Sequence, residues 1–195
     1  APADPNQNIG IHFAFGDHQT IQGNEIVVPG TGVSDTSDPD PDNWRYASCV
    51  GMQSNTSGGA VYEGLLIADN LVRVTGVQSA DPERLIGIWE NGHNHEANLT
   101  VSGNRFLNEN AGNDPAANQQ RAFRLTSHSS ATTEVLYEGN RVAGANIALE
   151  MPYDPPATAE PIVVRANDLE GNGTGLRMTM PNQKVDLAFN RLVEN

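Results

Sequence analysis

Val135-Leu136-Tyr137-Glu138-Gly139-Asn140-Arg141-Val142 is the phrase on which the chain is built. Val135 and Tyr137 are two apart, so they point to one face of a strand. Asn140 breaks that alternation. Its short amide can bond neighbouring backbone and tolerate a left-handed conformation, which suits a corner between two strands. Val142, beyond the corner, turns inward again.

The phrase recurs around Asn24, Asn70, Asn104, Asn167 and Asn190. Five residues before each asparagine stand Gln19, Leu65, Leu99, Val135, Ile162 and Val185; three before stand Ile21, Ile67, Val101, Tyr137, Val164 and Leu187. Two after stand Ile26, Val72, Phe106, Val142, Leu169 and Leu192. Only Gln19 is neither apolar nor aromatic. A second apolar segment precedes each phrase: Ile9–Phe13, Ala47–Met52, Leu85–Trp89, Ala122–Leu125, Ile147–Met151 and Leu176–Met180. The unit is therefore strand, exposed loop, strand, asparagine corner, short strand. One unit cannot cover its apolar face, but stacked units bury it as a continuous core.

This phrase resembles the repeat of right-handed parallel β-helices of the pectate-lyase-like superfamily, over nearly the whole chain. The resemblance implies an all-β, single-stranded parallel β-helix of about six coils. It also implies that Asn24, Asn70, Asn104, Asn140, Asn167 and Asn190 stack as a hydrogen-bonded ladder inside one corner. It is a resemblance to a fold and not to one enzyme.

One domain is expected over 1–195, with surface insertions near 29–43, 108–120 and 152–160, where Gly, Ser, Pro, Asp and Asn dominate. Hydrophobic content of 37%, aromatic content of 6% and 19 glycines suit a narrow layered core of Ile, Leu and Val. The 24 acidic residues outnumber 11 basic ones, giving −13, and Lys184 is the only lysine. Such a surface repels nucleic acid and anionic membranes. No apolar run reaches the roughly 20 residues that span a bilayer. Cys49 stands alone, so no intrachain disulfide forms. Ala1-Pro2-Ala3-Asp4-Pro5 resembles the small-residue end left by removal of a secretory signal, and a secreted or cell-surface location is expected.

Stacking brings the loops between first and second strands into one column: Asp17-His18, Gln53, Glu90 to Glu96, Ser127-His128-Ser129, Tyr153-Asp154 and Asn182-Gln183-Lys184. In polysaccharide lyases and epimerases of the resembled fold, a comparable groove holds a base that takes the proton α to a uronate carboxylate. On that reading His95 or His128 is the base and Tyr153 the acid. Asp17, His18, Gln53, Trp89, Glu90, His93 and Asp154 then hold the substrate. Against it, the column carries no cluster of Lys or Arg to receive a uronate, and solvated loops are polar by default. His93 and His95 share a face at i and i+2 and could meet one metal ion. Asp35, Asp38, Asp40 and Asp42 offer oxygen ligands that suit calcium, though without the glycine and terminal glutamate of an EF-hand loop.

No amphipathic helix covers either end of the pattern, and strand edges left open are sites of further pairing. The first functional expectation is thus a structural or adhesive module that self-associates, or forms filaments, through open ends. A polysaccharide-acting lyase, epimerase or hydrolase is the alternative, and a carbohydrate-binding module is a third.

Overall fold

The computed structural model describes residues 8–14, 18–29, 49–56, 62–76, 85–92, 96–110, 113–116, 118, 120–125, 134–152, 161–179 and 184–193. Among these every regular element is a strand. In chain order they are β1 (Asn8–Ala14), β2 (Thr20–Gln22), β3 (Glu25–Pro29), β4 (Cys49–Thr56), β5 (Tyr62–Glu63), β6 (Leu66–Ala68) and β7 (Leu71–Thr75). Then come β8 (Leu85–Gly92), β9 (Glu96–Ala97), β10 (Leu99–Ser102), β11 (Arg105–Asn108), β12 (Gln120–Leu125), β13 (Val135–Glu138) and β14 (Arg141–Ala143). The last are β15 (Ile147–Met151), β16 (Ile162–Arg165), β17 (Asp168–Glu170), β18 (Thr174–Met178), β19 (Val185–Ala188) and β20 (Arg191–Val193).

The chain visits three parallel sheets in turn, six strands in each. Sheet 1 is β1-β4-β8-β12-β15-β18, sheet 2 is β2-β6-β10-β13-β16-β19, and sheet 3 is β3-β7-β11-β14-β17-β20. A short β5–β9 pair stands apart. This arrangement is compatible with a parallel β-helix.

Register follows the phrase. Ile21 pairs with Ile67, Ile67 with Val101, Val101 with Tyr137, Tyr137 with Val164, and Val164 with Leu187. Equivalent apolar side chains therefore lie in columns, and those from Leu65 to Leu169 form one buried cluster with Ile88, Phe123 and Leu149 of sheet 1. Phe123 and Tyr137 meet edge to face at 5.1 Å. Such offset pairs add stabilisation beyond their buried area.

The asparagines close the corner between sheets 2 and 3. Asn70 donates its backbone N–H and its Nδ2 to Asn104 Oδ1, at 3.0 and 2.9 Å, and Asn104 does the same to Asn140. The remaining Nδ2 hydrogen goes to the carbonyl three residues before the preceding asparagine: Asn104 reaches Ile67 and Asn140 reaches Val101. A buried amide thus satisfies both donors and both lone pairs.

The left-handed residue differs from expectation. It is the residue before each asparagine that has positive φ: Gly23, Asp69, Gly103, Gly139, Ala166 and Phe189. The turn residue takes the strained conformation so that the asparagine can aim its amide inward.

Sheet 1 has a column that the sequence reading passed over. Gly10, Gly51, Gly87, Ala122, Ala148 and Gly175 occupy one level, and the strand register skips them. A Cβ on Gly51 would lie 2.5 Å from Gly87 O, and one on Gly87 would lie 2.6 Å from both Ala122 O and Phe106 Cδ2. Only small residues fit where each strand bends, and the bend lets neighbours such as Ala122 and Phe123 both join the core.

Where it is described, the insertion at 108–120 is a loop between β11 and β12 with Glu109, Asp114 and Ala116 exposed, and it also has an internal side. Asn110, Asn118 and Gln120 are buried. Asn108 Oδ1 accepts from Asn110 N, and Asn118 Oδ1 accepts from Gln120 N, which fixes how both amides point. Their Nδ2 groups, with that of Asn113, converge on Gly144 O at 3.0 to 3.2 Å. The polar composition that suggested exposure also serves an internal network. Of the other two insertions, 30–48 and 153–160 lie outside the described residues.

Candidate functional site

The strands of sheet 1 have a second face. Val50, Ile86 and Trp89 form an apolar cluster separate from the main core. The row through Trp89 reads Gln53, Trp89, Arg124, Glu150 and Arg177, each the register partner of the next. Arg121 lies one level away, paired with Ile86 and Ile147.

Three guanidinium groups surround one carboxylate here. Arg121 Nε and Arg124 Nη1 stand 3.6 and 3.5 Å from Glu150 Oε2, and Arg177 Nη1 stands 3.5 Å from Oε1. Glu150 and Arg121 are buried. The Arg124 guanidinium carbon lies 5.9 Å from the Trp89 ring centroid, a cation–π distance. The Trp89 Nε1–H is buried without a hydrogen-bond partner among the described residues. Desolvating Glu150, Arg121 and most of Arg124 is costly, so a cluster of this kind is a place where function is sought before stability.

The sequence reading expected no basic cluster beside the loop column. The cluster exists, but on strands: Arg121 and Arg124 in β12, Arg177 in β18. The signal was available, since a charged residue at the same level of successive apolar strands must share one outward row.

Other expected site residues separate. Trp89 lies in a strand as expected, and β8 runs on past it to Gly92, so Glu90 also belongs to the strand and not to a loop. Being adjacent in a strand they point to opposite faces. Trp89 joins the arginine row, while Glu90 is fully buried and level with Leu125 of the main core. Gln53 is likewise in β4, its backbone beside Trp89. His18 is exposed with φ of 54° at a corner facing Gly64. Asp17, His93, His95, His128, Tyr153 and Asp154 lie outside the described residues, as do Asp35, Asp38, Asp40 and Asp42. Among the described residues no group of three His, Cys, Asp or Glu is placed to hold a metal ion. No described helix is long and apolar enough to cross a membrane.

The second candidate is the open face of the last unit. Leu187 and Leu192 are 57% and 62% exposed, whereas Val164 and Leu169, beneath them in the same columns, are 2% and 3% exposed. Phe189 is 93% exposed and carries the left-handed φ of 57° that its column otherwise gives mainly to glycine. Large apolar side chains exposed in a contiguous patch mark interaction surfaces.

Comparison of the chain with family models, with curated proteins and with solved structures finds no match in any of the three.

Proposed function

We propose that this chain is a right-handed parallel β-helix acting as a structural module of the cell surface or extracellular space, which works by accepting a further coil on its open face. The observation that carries this reading is the abrupt loss of burial from Val164 and Leu169 to Leu187 and Leu192. The same columns are buried from Leu65 to Leu169 and only partly buried at Ile21 and Ile26. The net charge of −13 keeps the sides mutually repulsive and confines association to the ends. Analytical ultracentrifugation over a range of concentrations tests it. Mass that rises with concentration, and falls back to monomer in Leu187→Lys/Leu192→Lys, is expected. A strictly monomeric chain overturns the reading.

A second reading rests on a different observation. Arg177, its side chain 37% exposed, is the accessible member of a row in which Trp89 and Arg121 are buried, and arginine is a residue type that forks onto carboxylates. This favours a carbohydrate-binding module with a preference for acidic glycans, or an enzyme acting on them. Titration of acidic and neutral oligosaccharides against the Trp89 fluorescence discriminates: no response to either class removes this reading.

A further inference from the structure

The outer face of sheet 3 carries a charge arrangement that the other described arginines avoid. Arg105 of β11 and Arg141 of β14 are register partners, and both are exposed. Phe106 and Val142, the next residues along, are buried, so Arg105 and Leu107, like Arg141 and Ala143, share the outward side. Like charges on directly neighbouring strands repel.

Every other described arginine meets a carboxylate of this chain. Arg73 bridges Glu25 and Glu109, Arg191 bridges Asp168 and Glu170, and Arg165 meets Glu138. Arg121, Arg124 and Arg177 gather on Glu150. Arg105 and Arg141 have no such partner among the described residues, although acidic residues outnumber basic ones by 24 to 11. Asp168 is the register partner of Arg141, yet its Oδ1 accepts from Arg191 at 2.6 Å. Two adjacent guanidinium groups are thus left facing solvent in the middle of an acidic protein.

We propose that Arg105 and Arg141 form a binding site for an organic monocarboxylate, its carboxylate spanning both guanidinium groups and its carbon skeleton resting on Leu107 and Ala143. Neighbouring strands stand about 4.8 Å apart, so one planar carboxylate can accept from both side chains, which arginine recognises by its fork. Leu107 and Ala143 are register partners and half-buried, and they set an apolar ledge directly beside the charged pair. The net charge of −13, with Asp168 and Glu170 on the adjoining strand, penalises each further negative charge on a ligand. That selects a monoanion over sulfate, phosphate or a polyanion. The site is separate from the arginine row of sheet 1, whose guanidinium groups already surround Glu150.

Benzoate is the probe, and its controls take the two halves of the ligand apart: benzamide keeps the ring without the charge, acetate keeps the charge without the ring. The readout is the set of arginine Nε–Hε signals in nuclear magnetic resonance spectra of the full chain. Benzoate should move the Arg105 and Arg141 signals together along one saturation curve, leave that of Arg165 in place, and bind more tightly than acetate or sulfate. Benzamide should move neither. Arg105→Gln and Arg141→Gln, both at exposed positions, should each weaken benzoate by about tenfold, with circular dichroism checking the fold. Arg105→Lys keeps the charge but loses the fork, and should weaken it too. No saturable shift, or unchanged affinity in the Gln variants, overturns the site. Sulfate bound as tightly as benzoate, or full affinity in Arg105→Lys, overturns the monocarboxylate assignment. A glutamate-rich peptide that binds more tightly than benzoate overturns it in favour of an acidic protein partner.

Discussion

Asn140 gives both its backbone N–H and its Nδ2 to the single Oδ1 of Asn167, at 2.9 and 3.1 Å. Because its own Oδ1 accepts the same pair from Asn104, each ladder residue is donor upward and acceptor downward. Removing one member orphans groups on both neighbours in a place closed to water.

Asn140→Ala should therefore destabilise the fold by roughly 3 kcal/mol or more, since each buried orphaned group costs about 1–3 kcal/mol. Asn190→Ala, at the open end where water reaches the vacated groups, should cost about 1 kcal/mol. Urea unfolding of the two variants checks the order. Equal losses would mean that the ladder contributes little beyond local corner geometry.

Tyr137 lies fully within the core, and its hydroxyl has no hydrogen-bond partner among the described residues. Tyr137→Phe keeps the edge-to-face contact with Phe123 and removes the orphan, so a gain of roughly 1 kcal/mol is expected. Burial also holds the phenol well above its ordinary pKa of 10.0. In the unfolded chain Tyr137 ionises first, so its contribution is intact below pH 10.0 and declines as pH rises towards the folded value. The advantage of Tyr137→Phe in thermal melts should accordingly widen in alkali.

Ala166 sits at the corner position with φ of 55°, where three equivalents, Gly23, Gly103 and Gly139, are glycine. The left-handed conformation costs a residue with a Cβ roughly 1–2 kcal/mol. Ala166→Gly should thus stabilise by about 0.5–1 kcal/mol after the added freedom of the unfolded chain is subtracted. Gly139→Val should do the reverse, and denaturant midpoints measure both.

Gly144 has φ of 79°, and a Cβ there would lie 2.9 Å from Asn113 Nδ2. Gly144→Ala both strains the turn and pushes the amide network away from Gly144 O, for a loss of about 2 kcal/mol. Limited proteolysis should show faster cleavage within 108–120. Unchanged cleavage would mean that the insertion is held elsewhere.

Glu150 is the carboxylate among Arg121, Arg124 and Arg177. Glu150→Ala removes one partner of a buried ionic cluster and should cost about 3 kcal/mol. The Trp89 emission should shift with it, because Arg124 stands over that ring.

The sequence was most informative where a rule repeats. Val135, Tyr137, Asn140 and Val142, read against their equivalents, gave the strands of sheets 2 and 3 and the corner between them, and the apolar segments before each phrase gave sheet 1, because spacing of two within a strand needs no distant partner to decide it. At 108–120 polarity indicates that an asparagine needs partners, and only the fold places Gly144 O within reach of three of them. Likewise, nothing local distinguishes Glu90 from Trp89 in facing the core or the arginine row. That depends on the bend at Gly87, which resets the alternation because Ala122 O and Phe106 leave no room for a side chain there. Which charges meet at Glu150, and the forward direction in which each asparagine donates to the next, are properties of strands brought together from distant parts of the chain. Tertiary structure alone decides them.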